Sequence, residues 1–327
     1  MALMGSSGLL TLTDRGLYCE RGDFYIDPQR SVERAVITHA HSDHARPGMK
    51  HYLAHRDTVP LLHHRISRSI STQAVEYGEV LTMHDVSVSF FPAGHMIGSA
   101  QIRVEADGEV WVVSGDYKRQ RDPYAAPFQP LRCDTFITES TFGLPIYHWP
   151  SDEDVVSDIK RWHAANASCG IASAIQVYSL GKAQRLIGLL AHHLPLAVSA
   201  GIHAANVCIR TSGIEVAETS VLSDSMSHEK LMRGLILAAG PNDLRTIPAA
   251  RSAGVEMAFA SGWTATEPGR RRNSGAGFVI SDHVDWDDLH RTIDETEAEH
   301  IIVTHGFASE VVQYLRERGR SAEVLTT

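Results

Sequence analysis

The first third of the chain sets apolar residues in short blocks, and each block ends on a polar residue. "GDFYIDP" (22–28) alternates and stops at Pro28. "RAVITHA" (34–40), "VSVSFFPAGH" (86–95), "EVWVVSGDY" (109–117) and "CDTFITES" (133–140) are β-branched or aromatic runs that close on His39, His95, Asp116 and Glu139. Such runs predict strands. Polar residues just past strand ends sit where the loops of layered α/β folds converge. From about residue 150 the apolar period lengthens. "SDEDVVSDIKRWHAAN" (151–166) predicts a helix capped by Ser151, with acidic residues in its first turn and an apolar stripe at Val155, Ile159 and Trp162. "IASAIQVYSLGKAQRLIGLLAHHL" (171–194) reads as strand, glycine turn and helix, and "VEMAFASGW" (255–263) as a further strand. The order strand, histidine, helix then returns in "GFVISDHVDWDDLHRTIDET" (277–296) and "HIIVTHGFASEVVQYLRERG" (300–319). The pattern is α/β with a nested α/β module, and "EPGRRRNSG" (267–275) is its least regular stretch.

Composition narrows the class. A chain of 327 residues can bury one large core or two modest ones, and 43% hydrophobic with 21% charged residues is ordinary for a globular protein. No apolar run approaches the roughly 20 residues of a membrane span. The opening "MALMGSSGLLTLTDRG" lacks a basic segment followed by a long apolar block. A cytoplasmic protein without a membrane partner is expected. Cys19, Cys133, Cys169 and Cys208 lie far apart with no C-x-x-C pair, which argues against a zinc ribbon and a disulfide scaffold. The formal charge of −9 argues against wrapping nucleic acid with the whole surface. Bound cations would offset part of that charge.

The densest chemistry lies in "ITHAHSDHARPG" (37–48), where His39, His41, Asp43 and His44 form an H-x-H-x-D-H pattern. On an extended turn His39 and His41 point the same way, because strand side chains repeat every second residue. Asp43 and His44, past the bend, can face a second ion. Imidazole and carboxylate together suit zinc or manganese.

The pattern resembles the second motif of the metallo-β-lactamase superfamily, and the other motifs follow in order. Asp27 in "YIDP" matches the aspartate that supports the ligand loop, His95 the third-motif ligand and Asp116 the bridging carboxylate. Further on, the chain is similar to the β-CASP branch, the nucleic-acid-cutting members: Glu139 resembles the motif A acid, His283 the motif B histidine and His305 the motif C histidine. The resemblance implies a four-layered αββα metallo-β-lactamase domain, residues 1–145 and 266–327, with an inserted α/β β-CASP cap domain at 146–265. It also implies two divalent metal ions, zinc or manganese or both. His39, His41 and His95 would hold one ion, Asp43, His44 and His305 the other, and Asp116 would bridge them. The ions would activate a water for in-line attack on phosphorus, Asp43 would be essential to turnover, and His283, oriented by Glu139, would protonate the leaving oxygen.

The substrate reading is divided. A histidine at motif C is typical of branch members that act on RNA, as endonucleases or 5′ exonucleases. "GLYCERGDFYIDP" and "THAHSDHARPG" instead resemble the bacterial ligase-associated DNA exonucleases, and this longer likeness is given more weight. DNA is therefore preferred over RNA as partner, with an ATP-dependent DNA ligase as a functional partner implied by the resemblance. In "VYSLGKAQR" (177–185), Ser179, Gly181 and Lys182 open a helix, and free N–H groups beside a lysine make an anion pocket. A pocket there for a terminal phosphate, with Ser261 and Gly262 contributing, would bias the enzyme to 5′-phosphorylated ends; the alternative is an ordinary helix start. Lys118, Arg119, Arg121 and Arg270 to Arg272 would grip phosphates if they flank the cleft, or else lie solvated. A small thioester or lactam hydrolase and a non-catalytic binding subunit remain as rivals; Glu139, His283 and the filled ligand positions count against them.

Overall fold

The computed structural model describes residues 8–223, 225–240, 242–245, 254–266 and 276–326. The described residues form a mixed α/β structure with three sheets, and the chain divides into two compact units, residues 1–144 with 283–327, and residues 145–282.

The first unit holds two sheets. In one, β1 (Thr11–Thr13), β2 (Gly16–Cys19), β3 (Phe24–Ile26), β4 (Arg34–Ile37), β5 (His51–His55) and β6 (Ser71–Val75) lie in chain order. The other is built from β7 (Val80–Met83), β8 (Val86–Pro92), β9 (Ala100–Ala106), β10 (Glu109–Val113), β11 (Thr135–Glu139), β18 (His300–Thr304) and β19 (Ser321–Val324), in the order β19-β18-β11-β10-β9-β8-β7. Alternation sorts their side chains. Val36, Leu53, Phe90, Ile102, Ile137 and Ile302 join one buried cluster that spans both sheets. Their sequence neighbours Phe136, Ile301 and Val303 turn to the opposite face. There they meet Leu289 and Ile293 of α7 (Trp286–Glu295) and Val311, Val312 and Leu315 of α8 (Ala308–Glu317). A strand buried on both faces reads as a continuous apolar run, which is what "TFIT" and "HIIVT" are. A short helix, α1 (Thr58–Arg65), contacts β5 and β6.

The second unit carries a wholly parallel sheet of β12 (Ala172–Gln176), β13 (Leu196–Val198), β14 (Ser220–Val221), β15 (Leu235–Ala238), β16 (Val255–Ala260) and β17 (Gly277–Phe278), in the order β14-β13-β15-β12-β16-β17. Its helices include α2 (Asp152–Ser168), α3 (Lys182–Leu190), α4 (Ala200–Thr211), α5 (His228–Arg233) and α6 (Asn242–Arg245). Ser151 caps α2, its hydroxyl accepting the Asp154 N–H at 3.1 Å. Val155 and Ile159 are buried, and Trp162 meets Phe278 edge-on at 5.5 Å between ring centres. The sequence places the second boundary at 265, whereas this unit runs to Asp282. The reason is β17, which pairs with the end of β16 through Phe259↔Gly277 and Ala260↔Phe278.

Candidate metal centre

The ligand loop is organised by one carboxylate. Asp27 sits just past β3 with a positive φ of 44°, a region that Asp tolerates better than most residues. Its Oδ1 accepts the Thr38 N–H at 2.9 Å, and its Oδ2 accepts the Thr38 hydroxyl at 2.6 Å and His44 Nδ1–H at 2.7 Å. These bonds fix the first residue past β4 and orient His44 so that its Nε2 is left for another partner. Thr38 was not singled out by sequence, although its place directly before His39 in "ITHAHSDH" was the available signal.

Three groups of donors converge, and Asp116 belongs to all of them: His39, His41, His95 and Asp116; His44, Asp116 and His305; Asp116, Glu139 and His283. In the first group, His41 Nδ1 lies 3.1 Å from His39 Nε2 and 3.1 Å from His95 Nε2. Asp116 Oδ2 lies 3.6 Å from His39 Nε2 and 3.8 Å from His95 Nε2. A tetrahedral ion with bonds of about 2.0–2.1 Å has donor–donor edges of about 3.3–3.4 Å. The four spacings bracket that value. Neutral imidazoles carry one N–H each, so a single nitrogen of His41 cannot satisfy two ring nitrogens as well as a shared cation does.

In the second group, His44 Nε2 and Asp116 Oδ1 are 3.4 Å apart, both are buried, and neither has a hydrogen-bond partner. Buried polar atoms in that state are costly unless something else answers them. A proton on His44 or a divalent ion between the two groups would do so. His305 stands at the exposed side of this group, its ring centre 5.6 Å from that of His44. It has φ 59° and is followed by Gly306 at φ 56°. A Cβ at 306 would collide with the Ser140 carbonyl, so only glycine lets this turn close on the loop after Glu139. The Ser140 hydroxyl donates to the Thr304 carbonyl at 3.2 Å, pinning the turn.

In the third group, His283 Nδ1 donates to Glu139, 2.9 Å from Oε2 and 3.1 Å from Oε1. Glu139 is itself fixed by the Tyr117 N–H at 2.9 Å. Electrostatics follows from the packing. Burial, reinforced by His44 and His95, holds His39 well below the usual imidazole pKa. Burial opposes charge on Asp116 and His44 too, but each is outweighed. His44 and His283 hold the Asp116 carboxyl well below its ordinary range, and Asp116 with Asp27 raises His44 well above its own.

Other expectations meet a different geometry. Asp43 is outside the three groups, two-thirds exposed, with Oδ2 3.7 Å from His44 Nε2. In the "VYSLGKAQR" turn two of the expected anion donors are engaged within the protein: the Gly181 N–H donates to Gln184 Oε1 at 2.8 Å, and buried Lys182 ion-pairs with Asp282 at 3.0 Å. Gln184, three residues into the helix, folds back to cap it. Ser261 caps a short 3-10 turn, accepting the Trp263 N–H at 3.2 Å, and Gly262 is buried in that turn. Of the basic runs, Lys118 is buried. Arg119 reaches Glu295 at 2.7 Å and Thr292 at 3.2 Å, so it ties the Asp116 loop to α7, the helix that follows His283. Arg121 is exposed, and Arg270 to Arg272 lie outside the described residues.

Fold and centre together define a class: a protein with clustered histidine and carboxylate side chains that could hold metal ions at the strand ends of a mixed α/β unit. No protein-family model matches the chain. It is similar to a "Probable DNA ligase" of Opitutus terrae, 31% identical over 314 residues, which make up 94% of this chain and 30% of that protein. The "Cleavage and polyadenylation specificity factor subunit 3" of Dictyostelium discoideum is 29% identical over 138 residues, 38% of this chain and 17% of that one. An "RNase J-like protein" of Methanocaldococcus jannaschii is 26% identical over 207 residues, 56% of this chain and 49% of that one. The chain thus spans less than half the length of each of these relatives. The crystal structure of a protein of unknown function from Enterococcus faecalis V583 shares the fold, with a TM-score of 0.60 at 13% identity over 90% of this chain and 79% of that one. The chain belongs to the β-CASP branch of the metallo-β-lactamase superfamily. Among the described residues no helix is long and apolar enough to cross a membrane.

Proposed function

We propose that this protein is a metal-dependent nuclease, a phosphodiesterase that removes nucleotides from the 5′ ends of DNA, favours 5′-phosphorylated ends, and serves cytoplasmic end repair beside an ATP-dependent DNA ligase. The layering assigned to residues 1–144 with 283–327 is αββα, and residues 145–282 are assigned as the inserted cap domain. The observation that carries the reading is the convergence of three donor groups on Asp116, with the His283–Glu139 pair in the third.

His39, His41 and His95 would hold one ion, His44 and His305 the other with Asp43 at its open side, and Asp116 would serve both. The orphaned His44 Nε2 and Asp116 Oδ1 and the near-tetrahedral spacings fit this assignment. When bound, a pair of divalent ions, zinc or manganese, supplies Lewis acidity to a phosphate oxygen and a water of lowered pKa. The chain's own residues do the rest. Asp27 and Thr38 hold the ligand loop in register. Glu139 keeps the His283 ring oriented through Nδ1, so Nε2 is the nitrogen that gives its proton to the departing 3′-oxygen as the P–O bond breaks. Attack by water on phosphorus supplies the proton that restores His283. Proton transfer of this kind contributes about 10²–10⁴-fold.

DNA as substrate is favoured by the Opitutus relative, a protein named as a probable DNA ligase that contains a segment similar to nearly all of this chain. RNA is the second reading, favoured by His305 and by the relatives named for RNA processing. Matched DNA and RNA strands, labelled at either end and incubated with manganese or zinc, test the choice. Single-nucleotide shortening of the 5′-phosphorylated DNA is expected. Preferential cutting of RNA would reverse the assignment, and hydrolysis of thioesters alone would reject it.

A further inference from the structure

We infer that the carboxyl edge of the parallel sheet in residues 145–282 is a stacking platform for unpaired bases, built on Tyr178 and Trp263. The ligand class rests on the nuclease reading above; the place rests on this unit's own geometry. Among the described residues, these two are the aromatic members of the exposed large hydrophobic side chains, Tyr178 at 73% and Trp263 at 43% exposure. Tyr178 follows the end of β12, and Trp263 follows the end of β16. Those strands are hydrogen-bonded neighbours running parallel, so both rings belong to one edge of the sheet. In open α/β sheets that edge is where ligands bind.

Both aromatics are held although exposed. The Tyr178 carbonyl accepts the Ala183 N–H at 3.1 Å, and Lys182 Nζ lies 5.5 Å from the Tyr178 ring centre. The Trp263 N–H donates to the Ser261 hydroxyl at 3.2 Å, and Tyr147 meets the indole edge-on at 5.8 Å. Large rings displayed on a fixed backbone lose little further entropy on binding. Phosphate contacts are a poor alternative at this edge. Lys182 is spent on Asp282 at 3.0 Å and Arg185 on Asp152 at 2.7 Å, in a chain whose formal charge is −9. Stacking needs no cation and tolerates any base. In a duplex the base faces are already covered by their neighbours, so the platform selects single strands and frayed ends.

The test is fluorescence anisotropy of the full chain with manganese present, using a labelled phosphorothioate oligothymidine and a matched duplex. Tyr178→Ala and Trp263→Ala are each expected to weaken single-strand binding about tenfold, with a much smaller change on the duplex. The slope of affinity against salt should stay the same, because no phosphate contact is removed. Tyr178→Phe and Trp263→Phe should keep most of the affinity. Undiminished binding in the alanine variants, equal loss on the duplex, or phenylalanine variants as weak as alanine would each overturn the platform. Hydrolysis by wild-type protein is measured on the same strand without sulfur. If that activity persists while the alanine variants bind normally, the platform alone fails; a wild-type protein that neither binds nor cuts polynucleotides removes the nuclease reading with it.

Discussion

The strand ends of residues 1–144 with 283–327 and those of residues 145–282 both collect buried polar side chains, and they treat them in opposite ways. Around Asp116 three imidazoles share one point with a single carboxylate, more ring nitrogens than that carboxylate can answer. At the start of α3, groups of opposite charge close on one another, Lys182 on Asp282 and Arg185 on Asp152. Deeply buried polar groups occur in both places, His39 and Asp116 in one and Lys182 and Arg185 in the other, so burial alone does not mark a site. What marks it is a set of donors that cannot satisfy itself and needs a partner from outside.

The sharpest way to break this contrast is at the residue common to all three groups. Asp116→Asn keeps the size of the side chain and removes its charge. Hydrolysis should fall by about a thousandfold, corresponding to about 4 kcal/mol of lost transition-state stabilisation. Divalent content per chain, read by elemental analysis, should fall with it. A variant that retains its ions and most of its rate would show that the centre does not depend on a bridging carboxylate.

Lys182 probes the other side of the contrast. Lys182→Ala leaves Asp282 buried without its countercharge, and a loss of about 3 kcal/mol of unfolding free energy is expected. Lys182→Met combined with Asp282→Leu should recover most of it, as the buried pair is replaced by apolar contact. Denaturant melts measure both. The terminal-phosphate reading of the same lysine makes a separate demand, that the double variant lose its preference for 5′-phosphorylated over 5′-hydroxyl ends. An unchanged preference would leave Lys182 as structural glue.

A smaller effect is expected from Asp27→Ala, which frees Thr38 and His44 without touching the ions directly. A drop of about 10–100-fold in metal affinity and rate is expected, and Asp27→Asn should fall between the two. If metal affinity is unaltered, the ligand loop holds its own shape.

Local pattern was legible, and distant pairing was not. The strand endings at His39, His95, Asp116 and Glu139 and the Ser151 cap each depend on a few consecutive residues, and the blocks of apolar residues displayed them. The fate of the basic residues depends on partners far along the chain. Arg119 finds Glu295 at a separation of 176 residues, and Lys182 finds Asp282 beyond β13, β14, β15, β16 and β17 in the chain. A charged residue looks the same in sequence whether it will be solvated, paired or bound to substrate. Asp43 shows the same limit at short range: the motif places it beside His44, but the turn leaves its carboxylate at the exposed side.

The smallest effect comes from a histidine that is about as buried as His39 and His95 yet belongs to none of the three donor groups. His55, 2% exposed, stacks on Tyr77 at 3.6 Å between ring centres, and its Nδ1 accepts the Asp57 N–H at 3.3 Å. Burial, helped by the charge of Arg56, lowers its pKa to about 4. The denatured chain, with an ordinary imidazole near 6.5, takes up a proton in the interval where the native ring cannot. Stability is therefore present above about pH 6.5 and is lost as pH falls towards 4. A decrease of about 1–2 kcal/mol from this residue is expected over that range. Thermal melts of wild type and His55→Phe at the two ends of the window isolate it, since the variant should show a shallower fall. An equal fall in both would assign the acid sensitivity to the Asp116 centre, and would remove His55 as the example of a buried imidazole that is satisfied by staying neutral.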